Sequence, residues 1–123
     1  MINIYTSYFS NKNIPQEYQC ISVANTQPSR SYPKWREVIP SWFLAKSFKS
    51  KEISFELFRQ IYLNQLIRKS LADSYNFELY LNCLDNENIV LLCWEKDYNN
   101  CHRKVLVEYL TYFYTDLRYI GEI

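Results

Sequence analysis

The stretch "LLCWEKDYNNCHRKVLVEYL", residues 91–110, decides the fold because it joins an apolar run to an amphipathic one. Its beginning belongs to "IVLLCW", residues 89–94, a continuous apolar run that is typical of a central strand buried on both faces of a parallel sheet. After a six-residue loop, apolar side chains recur at helical spacing over 101–114. A strand followed by a helix in this way predicts an α/β fold.

The rest of the chain continues this alternation of strands and helices. Strands are predicted at 2–9, 20–25 and 117–123, and helices at 40–48, 55–70 and 71–83, with a turn at 85–88. Ser54 is predicted to cap its helix, and Pro40 to lie in the first turn of another, where a missing N–H costs little. We therefore expect a single α/β domain over 1–123, with a small, mostly parallel sheet and helices on both faces in a Rossmann-like, three-layer arrangement.

The composition excludes several classes of function. The formal net charge is +1, from 14 basic and 13 acidic side chains, which gives no strong general attraction to nucleic acid or to an anionic membrane. No apolar run approaches the ~20 residues of a membrane span, and the N-terminus lacks a signal peptide, so we expect a cytoplasmic protein with no membrane partner. The only glycine is Gly121, which excludes the glycine-rich loops that bind phosphate.

The chemistry of the chain is concentrated between strand 89–94 and helix 101–114. Cys101 lies at the predicted helix start, where backbone N–H groups and the helix dipole stabilise a thiolate. His102 and Arg103 add donors and positive charge beside it, and Glu95 could act as a general acid or base. We therefore predict Cys101, Glu95, His102 and Arg103 as catalytic residues of a nucleophilic-thiol or anion-binding site.

Ligand-binding residues are expected at the carboxyl ends of the other strands, because ligands of open α/β sheets bind beyond those ends. Thr6, Ser7 and Tyr8 come near the end of the first predicted strand, and Asn25 follows the second. Cys93 ends the apolar run itself. These side chains are predicted to surround one pocket.

Other chemistries of the same residues can be tested by spacing. A phosphatase or rhodanese-like cradle needs arginine six positions after the cysteine, but those positions hold Asn99 and Val107. A zinc set of Cys93, Cys101 and His102 is disfavoured because adjacent helical residues diverge by about 100°. We therefore predict no metal and no cofactor, and leave a redox pair of Cys93 with Cys101 open. The other two cysteines, Cys20 and Cys83, are predicted as small core residues.

The C-x-E and C-H-R elements of residues 91–110 resemble the signature of the domain of unknown function 488 family. "IYTSYF", "ISVAN" and the segment 39–66 resemble a subgroup of its small members. The resemblance implies a small α/β domain whose signature residues, with Thr6, Ser7 and Tyr8 opposite, line one pocket. Those signature residues are Cys93, Glu95, Cys101, His102 and Arg103. It also points to Lys49 and Tyr62 in the helical segment.

The chain departs from the wider family at the second strand. Where many members resemble D-V-R followed by proline, this sequence has Ser22, Val23 and Ala24. An acid and a base are lost from the pocket edge, which puts in doubt any activity that relies on them. Arg30 is one candidate to replace the missing guanidinium from the following loop.

Three functions follow as expectations, and whether the protein is an enzyme stays open at this point. The first is a pocket that binds or acts on a nucleotide or a nucleobase-like anion. The second is a non-catalytic module, of phage or defence type, that sequesters a ligand or contacts a partner protein. The third is nucleic-acid binding through 30–36, where basic residues alternate with aromatic rings that could stack on bases. These residues are Arg30, Tyr32, Lys34, Trp35 and Arg36.

Overall fold

The computed structural model describes residues 1–28 and 31–123 of the chain. Its strands β1 (Ile2–Tyr8), β2 (Gln19–Ser22), β3 (Asn88–Cys93) and β4 (Leu117–Glu122) form one sheet in the order β2-β3-β1-β4. Every neighbouring pair is parallel. The prediction of an α/β domain built on a parallel sheet is therefore confirmed.

The helices are α1 (Trp42–Lys49), α2 (Phe55–Ala72), α3 (Phe77–Asn82) and α4 (His102–Phe113). Helix α4 packs on β3 and β4, α2 packs on α4, and α1 packs on α2. Side-chain caps begin three of the helices, because the first backbone N–H groups of a helix lack partners within it. The capping residues are Ser41, Ser54 and Asn76.

Two predicted helix boundaries are wrong. Pro40 precedes the cap of α1 rather than lying in the first turn. The helix predicted over 71–83 is interrupted, since α2 runs on to Ala72 and α3 begins only at Phe77. The interruption contains Ser74 at a φ of 54°, a left-handed conformation that no helix continues through.

The central strand β3 lies in the middle of the core, and every side chain from Ile89 to Cys93 is buried. This explains its continuous apolar sequence, because neither face of β3 meets water. The register pairs Cys93 with Tyr8 of β1 and Leu92 with Ser22 of β2, so the carboxyl ends of three strands meet at one edge. That edge carries the candidate site.

The two cysteines outside β3 and the start of α4 differ in their exposure to solvent. Cys83 is exposed and Cys20 half-buried, so the prediction that both are core residues is wrong for Cys83.

Within 1–28 and 31–123, no helix is both long and apolar enough to cross a membrane.

Candidate functional site

The loop between β3 and α4 folds so that the cysteines at its two ends lie close together. Cys93 is the last residue of β3, and Cys101 is the N-cap of α4. Between them Asp97 caps a single turn of 3-10 helix by accepting a hydrogen bond from the backbone N–H of Asn99 at 3.0 Å. The folded loop leaves the two sulfur atoms 3.1 Å apart, with each cysteine 1% exposed.

Two further side chains complete a group that we call the thiol cluster, namely Cys93, Glu95, Cys101 and His102. The single proton of the Cys93 thiol has two acceptors within reach, Oε2 of Glu95 at 3.0 Å and the Cys101 sulfur at 3.1 Å, and the Cys101 sulfur lies 3.7 Å from the same Glu95 oxygen. Nε2 of His102 donates to the carbonyl of Val23 at 2.6 Å. Because a carbonyl only accepts, this bond assigns a proton to Nε2 and leaves Nδ1 facing the sulfurs, 3.7 Å from that of Cys93.

The two thiols have opposite ionisation tendencies. Burial opposes the thiolate of Cys101, but hydrogen bonds from Cys93 and His102 and the positive charges of His102 and Arg103 outweigh it and lower the pKa of Cys101 to about 5. The pKa of Cys93 is raised by its hydrogen bond with Cys101, by burial and by the negative charges of Cys101 and Glu95. At neutral pH the pair is therefore a Cys101 thiolate and a Cys93 thiol.

The pKa values of the other two groups of the cluster are shifted toward their charged forms. Burial opposes the imidazolium of His102, but its hydrogen bond and attraction to the Cys101 thiolate, and the carbonyl of Val23, raise its pKa. Burial also opposes the Glu95 carboxylate, yet the Cys93 thiol, a backbone N–H and the charges of His102 and Lys49 hold its pKa below the ordinary value. The cluster thus combines a thiolate, a carboxylate and one neutral thiol with a histidine whose surroundings favour its imidazolium form.

The thiol cluster opens on a cavity of about 70 Å³. This is room for a few waters or for the reacting end of a small ligand. Asn25 and Lys49, both predicted as ligand-binding residues, line it. The remaining walls come from the segment after β2, from α1 and α2, and from the β3–α4 loop. They are Ala24, Thr26, Pro40, Ala45, Phe48, Phe58, Trp94 and Asn100.

Arg103, predicted as catalytic, does not line this cavity. Its side chain is fully buried and forms a two-point ion pair with Glu122, at 3.2 Å from Nε and 2.6 Å from Nη2. Nη1 also donates to the carbonyl of Glu95 at 2.7 Å, and Nη2 to that of Lys96 at 3.3 Å. Arg103 therefore anchors the β3–α4 loop to the end of β4 and acts on Cys101 only through its charge.

The predicted residues of β1 lie at the neighbouring strand end but outside the cavity. Thr6 and Ser7 are buried. Oγ1 of Thr6 hydrogen-bonds the hydroxyl of Tyr119 at 2.7 Å, and Oγ of Ser7 accepts from Asn11 at 2.9 Å. The ring of Tyr8 lies 5.6 Å below the ammonium of Lys96. The structure thus brings together six of the ten predicted site residues, which are Asn25, Lys49, Cys93, Glu95, Cys101 and His102.

Three contributors to the site had weak signals or none in the sequence. Trp94 follows β3 directly and donates to the carbonyl and the hydroxyl of Thr26, at 2.9 and 3.0 Å, which fixes one wall. Tyr62, suggested only by the family resemblance, packs its ring against His102 with centroids 5.9 Å apart. The carbonyl of Val23 orients His102, and no side-chain motif reports a backbone acceptor.

The carbonyl of Val23 lies in the segment where the chain departs from the family's D-V-R pattern. Ser22 and Ala24 stand where the D-V-R pattern has its acid and its base, whereas Val23 matches the valine, and its bond to His102 comes from the backbone and needs no particular side chain. The buried side chain of Ala24 lines the cavity beside it. Arg30 lies outside the described residues.

The donor atoms of Cys93, Cys101 and His102 lie within 4.8 Å of one another. The sequence argument that adjacent residues diverge fails, because Cys101 is an N-cap in extended conformation, at φ −123° and ψ 146°, and not part of the helix. Nevertheless two sulfurs bound to tetrahedral zinc lie about 3.8 Å apart, given Zn–S bonds of about 2.3 Å. The observed 3.1 Å is the spacing of two sulfurs in direct hydrogen-bond contact.

The segment proposed for nucleic acid is less accessible than expected. Trp35 is fully buried, stacks on Tyr80 with centroids 4.7 Å apart and donates to the hydroxyl of Tyr75 at 2.7 Å. Tyr32 is half-buried against Phe9. The ring of Trp35 is therefore not on the surface, where a base could stack on it.

The comparisons with known proteins bear on the family alone. No curated protein and no solved structure matches the chain. A family model, DUF488-N3a, described as "Active DUF488-N3 subclade", matches residues 3–113, a range that includes the whole thiol cluster. This match covers β1 through α4 and confirms the family predicted from the sequence. The chain belongs to the DUF488 family.

Proposed function

We propose that this protein is a cysteine-dependent enzyme in which the Cys101 thiolate attacks a small ligand held in the cavity. The observation that carries the proposal is the position of the Cys101 sulfur. It lies at the N-cap of α4, 3.1 Å from the Cys93 thiol and beside the imidazole of His102. A thiolate stabilised in this way is the activated form of a cysteine nucleophile.

The surrounding groups have separate roles in this proposal. His102, held through its bond to Val23, keeps a positive charge next to the sulfur and so maintains the thiolate. Glu95, within hydrogen-bond distance of Cys93, is the group that accepts or returns protons. Arg103 is a positioning residue, because its contacts fix the loop that carries Glu95.

The ligand is expected to be small and polar or anionic. Lys49 supplies a positive charge at the cavity and Asn25 an amide, while Phe48 and Phe58 give it apolar walls. A nucleotide or nucleobase-like ligand stays our sequence-based prediction, with only its reacting end inside about 70 Å³. A reducing, cytoplasmic setting suits the proposal, because it keeps both cysteines free.

The non-catalytic alternative uses the same cavity without the thiolate. A binding module gains affinity from Lys49, Asn25 and the apolar walls, and its ligand leaves unchanged. The two alternatives therefore differ in one property, the nucleophilicity of Cys101.

The test is site-resolved alkylation with iodoacetamide across pH 4 to 9, read by peptide mass spectrometry. We expect half-maximal reaction of Cys101 near pH 5, and the exposed thiol of Cys83 serves as an internal reference in the same samples. Cys101→Ser should remove the acidic component and Cys83→Ser should leave it unchanged. A Cys101 profile that coincides with that of Cys83 overturns the proposal and favours the binding module.

A further inference from the structure

We infer that Cys93 is a resolving thiol and that the group attacked by Cys101 is a sulfur atom in a small disulfide. The inference rests on the proposed function for its first step, the attack by Cys101. It adds the class of substrate and a second reacting residue. The protein would then act as a two-cysteine reductase of small disulfides.

The geometry that points to this role is the contact between the two sulfurs. They lie 3.1 Å apart in the reduced protein, and a disulfide needs about 2.05 Å, so a movement of about 1 Å joins them. Both cysteines are buried in the same cavity wall. Any group that bonds to Cys101 through sulfur therefore has the Cys93 sulfur as its nearest thiol.

The route for the second proton is also present. The Cys93 sulfur already lies 3.0 Å from Oε2 of Glu95, so the carboxylate is placed to remove the thiol proton once the Cys101 sulfur no longer accepts it. While Cys101 is a thiolate, its negative charge and hydrogen bond keep Cys93 protonated. Once Cys101 carries a neutral mixed disulfide, both of these effects are lost, and Cys93 becomes easier to ionise. The two cysteines thus react in a fixed order.

The two steps balance as thiol–disulfide exchange. First, the Cys101 thiolate attacks R–S–S–R′, the S–S bond of the substrate breaks, and R′S⁻ leaves. Second, Glu95 takes the proton of Cys93, whose sulfur attacks the Cys101 sulfur of the mixed disulfide and releases RS⁻. The substrate disulfide gains two electrons and becomes two thiols, while the protein loses two electrons and becomes the Cys93–Cys101 disulfide. An external thiol reductant returns it to the dithiol form.

The burial of the sulfurs limits the substrate to small molecules. Each cysteine is 1% exposed and is reached through a cavity of about 70 Å³, too small for a folded protein carrying a disulfide. Lys49 at the same cavity favours a disulfide with an anionic end. The expected ligand is therefore a small, polar disulfide in place of the nucleotide-like anion.

The test uses dipyridyl disulfide, a small probe that releases an absorbing thiopyridone at each exchange step. All variants carry Cys20→Ser and Cys83→Ser, which removes the two cysteines outside the cluster. With this background alone we expect two thiopyridones per chain and a product two hydrogens lighter than the reduced protein. With Cys93→Ser added we expect one thiopyridone and a retained thiopyridyl adduct on Cys101. With Cys101→Ser added we expect at least a tenfold slower release.

The outcomes separate this inference from the proposed function. One thiopyridone and a stable adduct with both cluster cysteines present overturns the resolving role but leaves Cys101 as a nucleophile. Slow release from every form, with circular dichroism showing a folded protein, overturns both. A metal ion seen by native mass spectrometry that blocks the release overturns both as well. Cys93→Ala provides a second variant if serine at this buried position prevents folding.

Discussion

The polar residues at the start of α4 lie on two sides of the helix, and the two sides have different roles. On one side Cys101 and His102 face a cavity. On the other, Arg103 is fully buried and directs four hydrogen bonds at Glu122 and at two loop carbonyls. Of the three consecutive residues of the C-H-R motif, Cys101 and His102 therefore line the cavity, and Arg103 supports the loop.

The difference shows how a reactive thiolate can lie within a small core. On the other side the Arg103 guanidinium pairs with the Glu122 carboxylate and binds two loop carbonyls, while its positive charge still lowers the pKa of Cys101. On the cavity side the sulfur of Cys101 lies close to the ring of His102, which is bound to the carbonyl of Val23. If this division is correct, variants on the two sides should fail in different assays.

The largest effect is expected from removing the support, with Arg103→Leu. It leaves the Glu122 carboxylate and the carbonyl of Glu95 without their buried partner. We expect a loss of about 3 kcal/mol in the free energy of unfolding, measured with urea, because breaking a buried ion pair leaves an uncompensated charge. The control is Arg59→Leu, which breaks an exposed pair with Glu108 and should cost about 1 kcal/mol or less. Equal losses in the two variants would contradict the supporting role.

A smaller effect, on reactivity rather than stability, is expected from His102→Asn. The neutral side chain removes the charge and the hydrogen bond that help to lower the pKa of Cys101. We expect the alkylation rate of Cys101 at pH 4 to fall about tenfold, since a rise of one pKa unit lowers the thiolate fraction by about that factor when the pH lies below both pKa values. At pH 9 the rates should converge, because both forms are ionised. A loss that is the same at both pH values would indicate a packing role for His102 instead.

The pH dependence of stability should show the same thiolate and imidazolium. Cys101 has a folded pKa below its unfolded value, so its stabilisation is complete above the unfolded pKa and is lost as pH falls through about 5. His102 has a raised folded pKa, so its stabilisation is complete below the unfolded value of about 6.5 and is lost as pH rises through the folded value. Above about pH 6.5, up to the raised folded pKa of His102, the two proton balances therefore oppose each other.

We therefore expect the free energy of unfolding to rise from pH 5 to 6.5 and then to level off as the His102 contribution begins to be lost. Urea unfolding at half-unit steps measures this profile. In His102→Asn the imidazole is gone and Cys101 ionises at higher pH, so the rise should begin at a higher pH and continue above pH 6.5 without levelling off. An unchanged profile in that variant would show that other groups cause the rise.

The central part of the fold was predictable because its signals are local. The apolar run of β3 and the stripe of α4 lie within their own segments, and Ser54 caps α2 as expected. The break between α2 and α3 was not predictable in this way. Its turn uses Ser74 at positive φ, where no glycine or proline marks the position.

The residues of the site also differ in whether local sequence signals could predict their roles. The positions of Cys93, Glu95 and Cys101 follow from a short loop between a strand and a helix, so spacing alone brought them together. The role of Arg103 depends on Glu122, nineteen positions away, which only the placement of β4 brings within 2.6 Å. Thr6 and Ser7 were predicted because strand ends meet at one edge, but hydrogen bonds to other partners keep both side chains out of the cavity.

The smallest expected effect sharpens the cavity side of the comparison. Lys49 lines the cavity, whereas Lys46, on the same helix, lies over the ring of Trp42 and does not line it. With Lys49→Gln we expect Cys101 to react about threefold more slowly with dithiodiglycolate, an anionic disulfide, and at an unchanged rate with the neutral hydroxyethyl disulfide. An exposed charge contributes less than about 1 kcal/mol, which sets this size. Lys46→Gln should change neither rate. If both lysine variants slow the anionic disulfide equally, the preference comes from the general charge of α1 and not from a built anion position beside the thiolate.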